Sequence, residues 1–236
     1  MSAKNKLQRF ADNEVFPNVI QPQFEEIFHK DYKLKNQWKS EYWHNSNPIV
    51  LELGCGKGEY TVALAQANPE KNHIGIDIKG ARFWRGAKTA LDNEVKNAAF
   101  LRTRIEFIDS FFGANEIDEI WITFPDPQLR EKRAKKRLTS PRFLNMYRTM
   151  LQPNAVVNLK TDSKELYDYT KTLLEQNKQE ILVATDDLYN SGMCDEILSI
   201  KTQYESFYLA QGKPITYLKF RLSGVIEPLL EPEKNI

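Results

Sequence analysis

The chain has 236 residues, 41% of them hydrophobic and 28% charged, with a formal net charge of +1. That length suits one α/β domain with a short extension. No run approaches the roughly 20 apolar residues that cross a bilayer, and the first residues, MSAKNKLQRFADNEVF, lack the apolar segment of a signal peptide. Cys55 and Cys194 have no CxxC spacing, and His29, His44 and His73 form no ligand pair, so neither a disulfide framework nor a metal site is expected and a reducing cytoplasm is.

Residues 1–48 show no sustained hydrophobic period. KNKLQRF reads as a basic stub that frays, PQFEEIF as a short helix, and WKSEYWHNSNP as a turn-rich approach to the first strand. From residue 49 strands and helices alternate. Apolar runs predict strands at 48–53, 73–78, 98–103, 117–124, 155–160, 181–185 and 215–222. Helical patterns cover 59–68, 81–95, 141–151 and 163–177, the third with Ser140 as N-cap and Pro141 at its first position. Repeated β–α units imply a parallel sheet covered on both faces, with ligands at the carboxyl ends of its strands. The expected division is an N-terminal extension, 1–48, partly flexible; a domain, 49–224; and a C-terminal tail, 225–236.

The first strand ends in Glu52-Leu53-Gly54-Cys55-Gly56-Lys57-Gly58. Alternating glycines permit a tight turn and close approach of a ligand to bare backbone. The spacing matches neither GxGxxG nor a P-loop, and a lone glycine triplet also fits a plain structural turn. Two acids strengthen the ligand reading. Glu52 is a carboxylate inside an apolar strand, costly unless paired; a methionine α-ammonium, or a network that holds it, would supply the partner. Asp77 ends the second strand, where an acid reaches ribose hydroxyls. A nucleotide-like ligand without pyrophosphate satisfies these conditions, and S-adenosylmethionine is one. The domain then reads as an S-adenosylmethionine-dependent methyltransferase.

The fourth strand ends in Phe124-Pro125-Asp126-Pro127, with Asp126 clamped between two prolines at the ligand edge. Gln128 to Arg137 follows, a strongly basic stretch. Charge is segregated along the chain: Lys79 to Arg104 holds seven basic and two acidic residues, Asp126 to Arg142 again seven and two, and Asp162 to Glu196 three and nine. Each segment alone fits a solvated face. Two basic segments near a catalytic edge suit neutralisation of phosphates.

LELGCGKG, GIDIKGARF, ITFPDP followed by KRAKKRL, LKTD, and TQYE with a glycine seven residues later occur in this order. From about Ile49 to Leu222 the chain resembles the bacterial tRNA (guanine-N7)-methyltransferases. The resemblance implies a Rossmann-like class I methyltransferase fold: a mostly parallel seven-stranded sheet, helices on both faces and an antiparallel last strand. It implies methyl transfer from S-adenosylmethionine to N7 of a guanine in the tRNA variable loop. By it, Glu52, Gly54, Gly56, Asp77, Arg104 and Asp126 are cofactor ligands, Asp126 also being the active-site acid. Arg130, Asp162, Thr202, Gln203, Tyr204 and Glu205 are substrate contacts. Arg104 stands where the family commonly has an acid, and Gln128 where it has an aromatic ring. The partner implied is tRNA, with no membrane and no obligatory protein partner, the chain being a monomer or a homodimer. A methyltransferase acting on a small molecule, an adenine amino-methyltransferase and a non-catalytic RNA-binding protein on this scaffold are the alternatives.

Overall fold

The computed structural model describes residues 3–230; residues 231–236 of the expected tail and residues 1–2 lie outside the described residues. Eight strands, β1 (Val19–Ile20), β2 (Ile49–Leu53), β3 (Asn72–Ile76), β4 (Ala98–Leu101), β5 (Ile117–Thr123), β6 (Leu151–Thr161), β7 (Ile181–Thr185) and β8 (Thr216–Phe220), make one sheet. Their order is β1-β4-β3-β2-β5-β6-β8-β7. β8 runs antiparallel to both neighbours, and the other pairs are parallel. The helices are α1 (Ala3–Val15), α2 (Phe24–Ile27), α3 (Glu59–Ala67), α4 (Gly80–Asp92), α5 (Pro141–Met150), α6 (Lys164–Gln176) and α7 (Gln203–Ala210).

All seven expected strands are present. β2 shows why they were readable: every residue is buried, because helices cover both faces of the sheet. Side chains alternate across it. Ile49, Leu51 and Leu53 join a core that includes Leu144 and Tyr147 of α5 and Leu173 and Leu174 of α6. Val50 joins a second cluster with Tyr60 and Leu64 of α3. Each fully buried side chain of this kind contributes roughly 1.5–3 kcal/mol.

The N-terminal stretch differs from the frayed stub expected of it. Residues 3–15 are helical, and polar side chains tie them to α4. Asn13 Nδ2 donates to Gly80 O at 3.0 Å, and Trp84 Nε1 donates to Asp12 Oδ2 at 2.8 Å. β1 is the eighth strand; its two residues extend the sheet beside β4.

From β2 the chain moves outward through β3 and β4, then returns to place β5 on the other side of β2. The reversal between β2 and β5 opens a crevice at the carboxyl ends of the strands, where this class of sheet binds ligands.

Candidate active site

A cleft of about 480 Å³ lies at that crevice. It collects residues from four strand ends: the glycine loop after β2, Asp77 after β3, the Phe124–Pro127 loop after β5, and Asp162 after β6. Thr202, Tyr204 and Tyr208 close it from α7 and its cap.

The glycine loop is fixed to β3, with the N–H groups of Gly54 and Cys55 both donating to Ile76 O, at 2.8 and 3.0 Å. Gly58 ends the loop at φ +73, and a Cβ there would lie 2.4 Å from the Phe100 ring. It also meets Gly86 of α4 backbone to backbone, so Gly58 packs helix on helix. Gly54 is different: at φ +79, a Cβ built on it has nothing within 4 Å, since it faces the cleft.

Glu52 is 2% exposed at the cleft floor. Its carboxylate accepts from Thr123 Oγ1 at 2.6 Å and from Thr61 Oγ1. Burial pushes its pKa up to about 7, although both hydrogen bonds pull it down. Through these two hydroxyls Glu52 joins the end of β5 to α3 beneath the glycine turn. Asp77 presents its carboxylate at the cleft while accepting from Gly56 N–H at 3.0 Å and Lys79 N–H at 2.8 Å. Cys55 is buried, and burial raises its thiol pKa, which argues against a thiolate nucleophile.

Asp126 is exposed at the tip of a strained loop. Phe124 and Gln128, on either side of Pro-Asp-Pro, both hold φ +47, a left-handed conformation that non-glycine residues rarely adopt. Three contacts hold it. Phe124 N–H donates to Lys160 O at 2.8 Å, Gln128 N–H donates to Asp126 Oδ1 at 3.0 Å, and Arg137 Nε donates to Pro127 O at 3.2 Å. The Arg137 guanidinium also lies 4.2 Å over the Tyr169 ring. Arg137 therefore braces the loop from within the basic stretch. Arg130, Lys132, Arg133, Lys135 and Lys136, around a 3₁₀ turn at Glu131–Lys136, stay exposed. Arg130 lies outside the cleft but shares an adjoining hollow with Asp126 and Arg133.

The structure divides the four residues 202–205. Thr202 lines the cleft while its Oγ1 caps α7, accepting from Glu205 N–H at 3.1 Å. Tyr204 lines the cleft and is 50% exposed. Gln203 sits beside the cleft, accepting from Lys57 Nζ. Glu205 corrects the expectation of a substrate contact, being 0% exposed and ion-paired to Lys160 Nζ at 2.8 Å. Tyr189 OH donates to the same Glu205 oxygen at 2.6 Å. Arg104 stands exposed after β4, where it caps the next turn, and it is not among the residues that line the cleft. Asp162 does reach the cleft, half-buried, and burial raises its pKa despite Lys213 Nζ at 3.9 Å.

Comparison with known proteins agrees with this geometry. The family model described as "Putative methyltransferase" matches residues 46–218. A tRNA (guanine-N7)-methyltransferase of Christiangramia forsetii is 54% identical over 94% of this chain and 100% of its own length. One of Bacteroides thetaiotaomicron is 48% identical over 99% of this chain and 91% of its own. The chain belongs to the tRNA (guanine-N7)-methyltransferase family. Solved structures confirm the fold alone. The 16S rRNA methyltransferase KamB superposes with a TM-score of 0.58 at 17% identity, covering 82% of this chain and 92% of that one. A SAM-dependent methyltransferase from Aquifex aeolicus gives 0.50 at 15% identity, over 73% and 81%.

Sequence reasoning gave no role to two side chains that shape this methyltransferase cleft, Lys160 and Tyr208. Lys160, fully buried, donates to Leu198 O at 2.7 Å and Ile200 O at 3.0 Å besides pairing with Glu205. It ties the segment before α7 to the end of β6, two residues from Asp162. The available signal was a lysine ending an apolar strand, the same kind of anomaly that singled out Glu52. Tyr208, whose ring stacks on Phe124 at 6.3 Å, carried no such signal.

Proposed function

We infer that this chain transfers a methyl group from S-adenosylmethionine to N7 of a guanine in the tRNA variable loop, in the cytoplasm. The observation that carries the reading is Asp126, exposed on a braced, strained loop beside the glycine cleft and a run of exposed cations. The two cysteines are free, which suits a reducing compartment.

The cleft fits the donor. Its volume is in the range of small-molecule sites. The open face of Gly54 allows close approach to backbone, and Asp77 sits where ribose hydroxyls are bound, its carboxylate already oriented by two N–H groups. When bound, S-adenosylmethionine supplies a methyl group carried on a positively charged sulfur.

Guanine N7 has an in-plane lone pair and no proton, so the chain has no proton to remove. Its work is to place the base and exclude misaligned approaches. Asp126 accepts hydrogen bonds from the N–H groups of the guanine Watson–Crick edge. The purine gains positive charge as N7 is alkylated, and the nearby carboxylate stabilises that charge. Asp162, on the neighbouring strand end, adds to the same field. Thr202 and Tyr204 border the base, and Arg130 with its exposed neighbours meets phosphates.

The test is incubation of the purified chain with unmodified tRNA and labelled S-adenosylmethionine, followed by digestion to nucleosides. Label is expected in 7-methylguanosine; label in another base, or none, overturns the function. Asp126→Asn is expected to lower turnover by about 100-fold, the scale of losing one preorganised electrostatic group, with cofactor affinity held. Near-normal turnover removes Asp126 from the mechanism.

A further inference from the structure

A second cavity, of about 560 Å³, opens beside the glycine loop. Arg9 of α1, Lys57 of the loop, and Arg82 and Arg85 of α4 line it, and Glu59 is its one acid. Lys57, Arg82 and Tyr204 also line the methyl-transfer cleft, so the two spaces are continuous.

The four cations are poorly neutralised. The Glu59 carboxylate already accepts from Gln203 N–H at 3.1 Å. Among the described residues, Arg82 and Arg85 have no ion pair or side-chain hydrogen bond. They stand three apart on α4 and so share a face. Arg9 is held in place: Nη1 donates to Ala81 O at 3.1 Å, and the guanidinium lies 4.5 Å over the Trp84 ring. Lys57 is held by Gln203. Four cations gathered from two helices and a loop against a single carboxylate repel one another until anions arrive. Guanidinium forks match phosphate oxygens.

We propose that this cavity seats the phosphodiester backbone of nucleotides next to the target guanine. The tRNA is then gripped at two basic seats, this one and the exposed cations around Arg130 and Arg133. The inference rests on the tRNA reading above. One carboxylate on a bound cofactor needs a single cation, whereas four spread along an open cavity match a polyanion. Tyr204, half-exposed where the two spaces meet, offers a stacking face of the kind that splayed RNA bases use. The seat also gives α1, which lies before the matched residues 46–218, a part in substrate binding.

Arg85 lines only this cavity, so Arg85→Glu and the double variant Arg82→Gln/Arg85→Gln make the test. Binding of an unmodified tRNA transcript is followed by fluorescence anisotropy across a salt series, and cofactor binding by calorimetry. Both exposed sites leave folding intact, checked by melting. The double variant is expected to raise the Kd for tRNA about tenfold and to lower the magnitude of the log–log salt slope by about 1.5, the share of two phosphate contacts. Cofactor Kd stays within about twofold in Arg85→Glu. Unchanged tRNA affinity and slope in both variants overturn the seat. Cofactor binding that weakens as much as tRNA binding gives the cavity to the cofactor and overturns it too. If the unaltered chain fails to methylate tRNA, the function falls; if it methylates and the variants bind like it, only this seat does.

Discussion

Lys160→Met tests how the wall of the cleft is held. Methionine keeps the apolar stem, so the change removes the ammonium and three contacts: Leu198 O at 2.7 Å, Ile200 O at 3.0 Å and Glu205 Oε1 at 2.8 Å. Both members of the pair are 0% exposed. Burial lowers the Lys160 pKa and Glu205 opposes that shift, as expected of a cation whose environment is dry but paired. Removing one partner of a buried pair costs about 3–5 kcal/mol, because the other charge stays buried alone. In a chain of this size each kcal/mol moves the melting midpoint by about 2–4 °C, so a fall of roughly 6–20 °C is expected. The double variant Lys160→Met/Glu205→Gln removes both charges and should recover part of the loss, with a coupling of about 0.5–3 kcal/mol. Melting of the unaltered chain, both single variants and the double variant closes the cycle, and the KM for tRNA is measured alongside. KM should rise in the single variants, since Thr202 and Tyr204 hang from the segment that Lys160 holds. Single variants that melt within about 2 °C of the unaltered chain and bind tRNA normally refute the reasoning.

Two further outcomes follow from the cleft floor. Gly54→Ala and Gly58→Ala both place a side chain at positive φ, but only the second drives a Cβ into Phe100. Gly58→Ala should cost roughly 1–3 kcal/mol beyond the shared backbone strain, while Gly54→Ala should mainly weaken cofactor binding in calorimetry; equal stabilities would contradict the division. Glu52 has a folded pKa of about 7 against an ordinary 4.5, so the folded state holds its proton more tightly than the unfolded chain. Stability from this group is therefore full below about pH 4.5 and lost as pH rises through about 7, a difference of about 3 kcal/mol. Denaturant titrations of the cofactor-free chain should show that loss between about pH 4.5 and pH 7, and Glu52→Gln should not; parallel curves would remove the cause.

β2 was legible because burial on both faces makes it an apolar run, bounded by Pro48 and Gly54. β1 was not, because two residues paired at a sheet edge leave no period. α7 was missed for a related reason. Its one buried side chain is Glu205, so the helix shows no apolar stripe and is seated by an ion pair with a lysine 45 positions earlier. Of the TQYE motif only Thr202 and Tyr204 line the cleft, because side-chain direction belongs to three dimensions. Capping by Thr202 turns the first helical turn so that Tyr204 faces out and Glu205 faces in. The basic run carried the same ambiguity. Five cations around the 3₁₀ turn face solvent, and Arg137 turns inward to brace Pro127.

The acids sort by the work that each position permits. Glu52 and Glu205 are buried behind the loops, where their hydrogen bonds join one element to another: Glu52 joins β5 to α3, and Glu205 joins α7 to β6. Asp77, Asp126 and Asp162 stand at strand ends with carboxylates available to the cleft. A reaction that had to strip a proton from its nucleophile would need a base seated within reach of that proton. Alkylation at an unprotonated ring nitrogen needs instead a fixed negative field around a base that is becoming positive. In the proposed reaction that field comes from carboxylates on rigid loop tips, held from behind by buried acids and an inward arginine. The strain at Phe124 and Gln128 fits the proposed role of Asp126, since a loop locked in an unfavourable conformation would keep that carboxylate in place as charge develops.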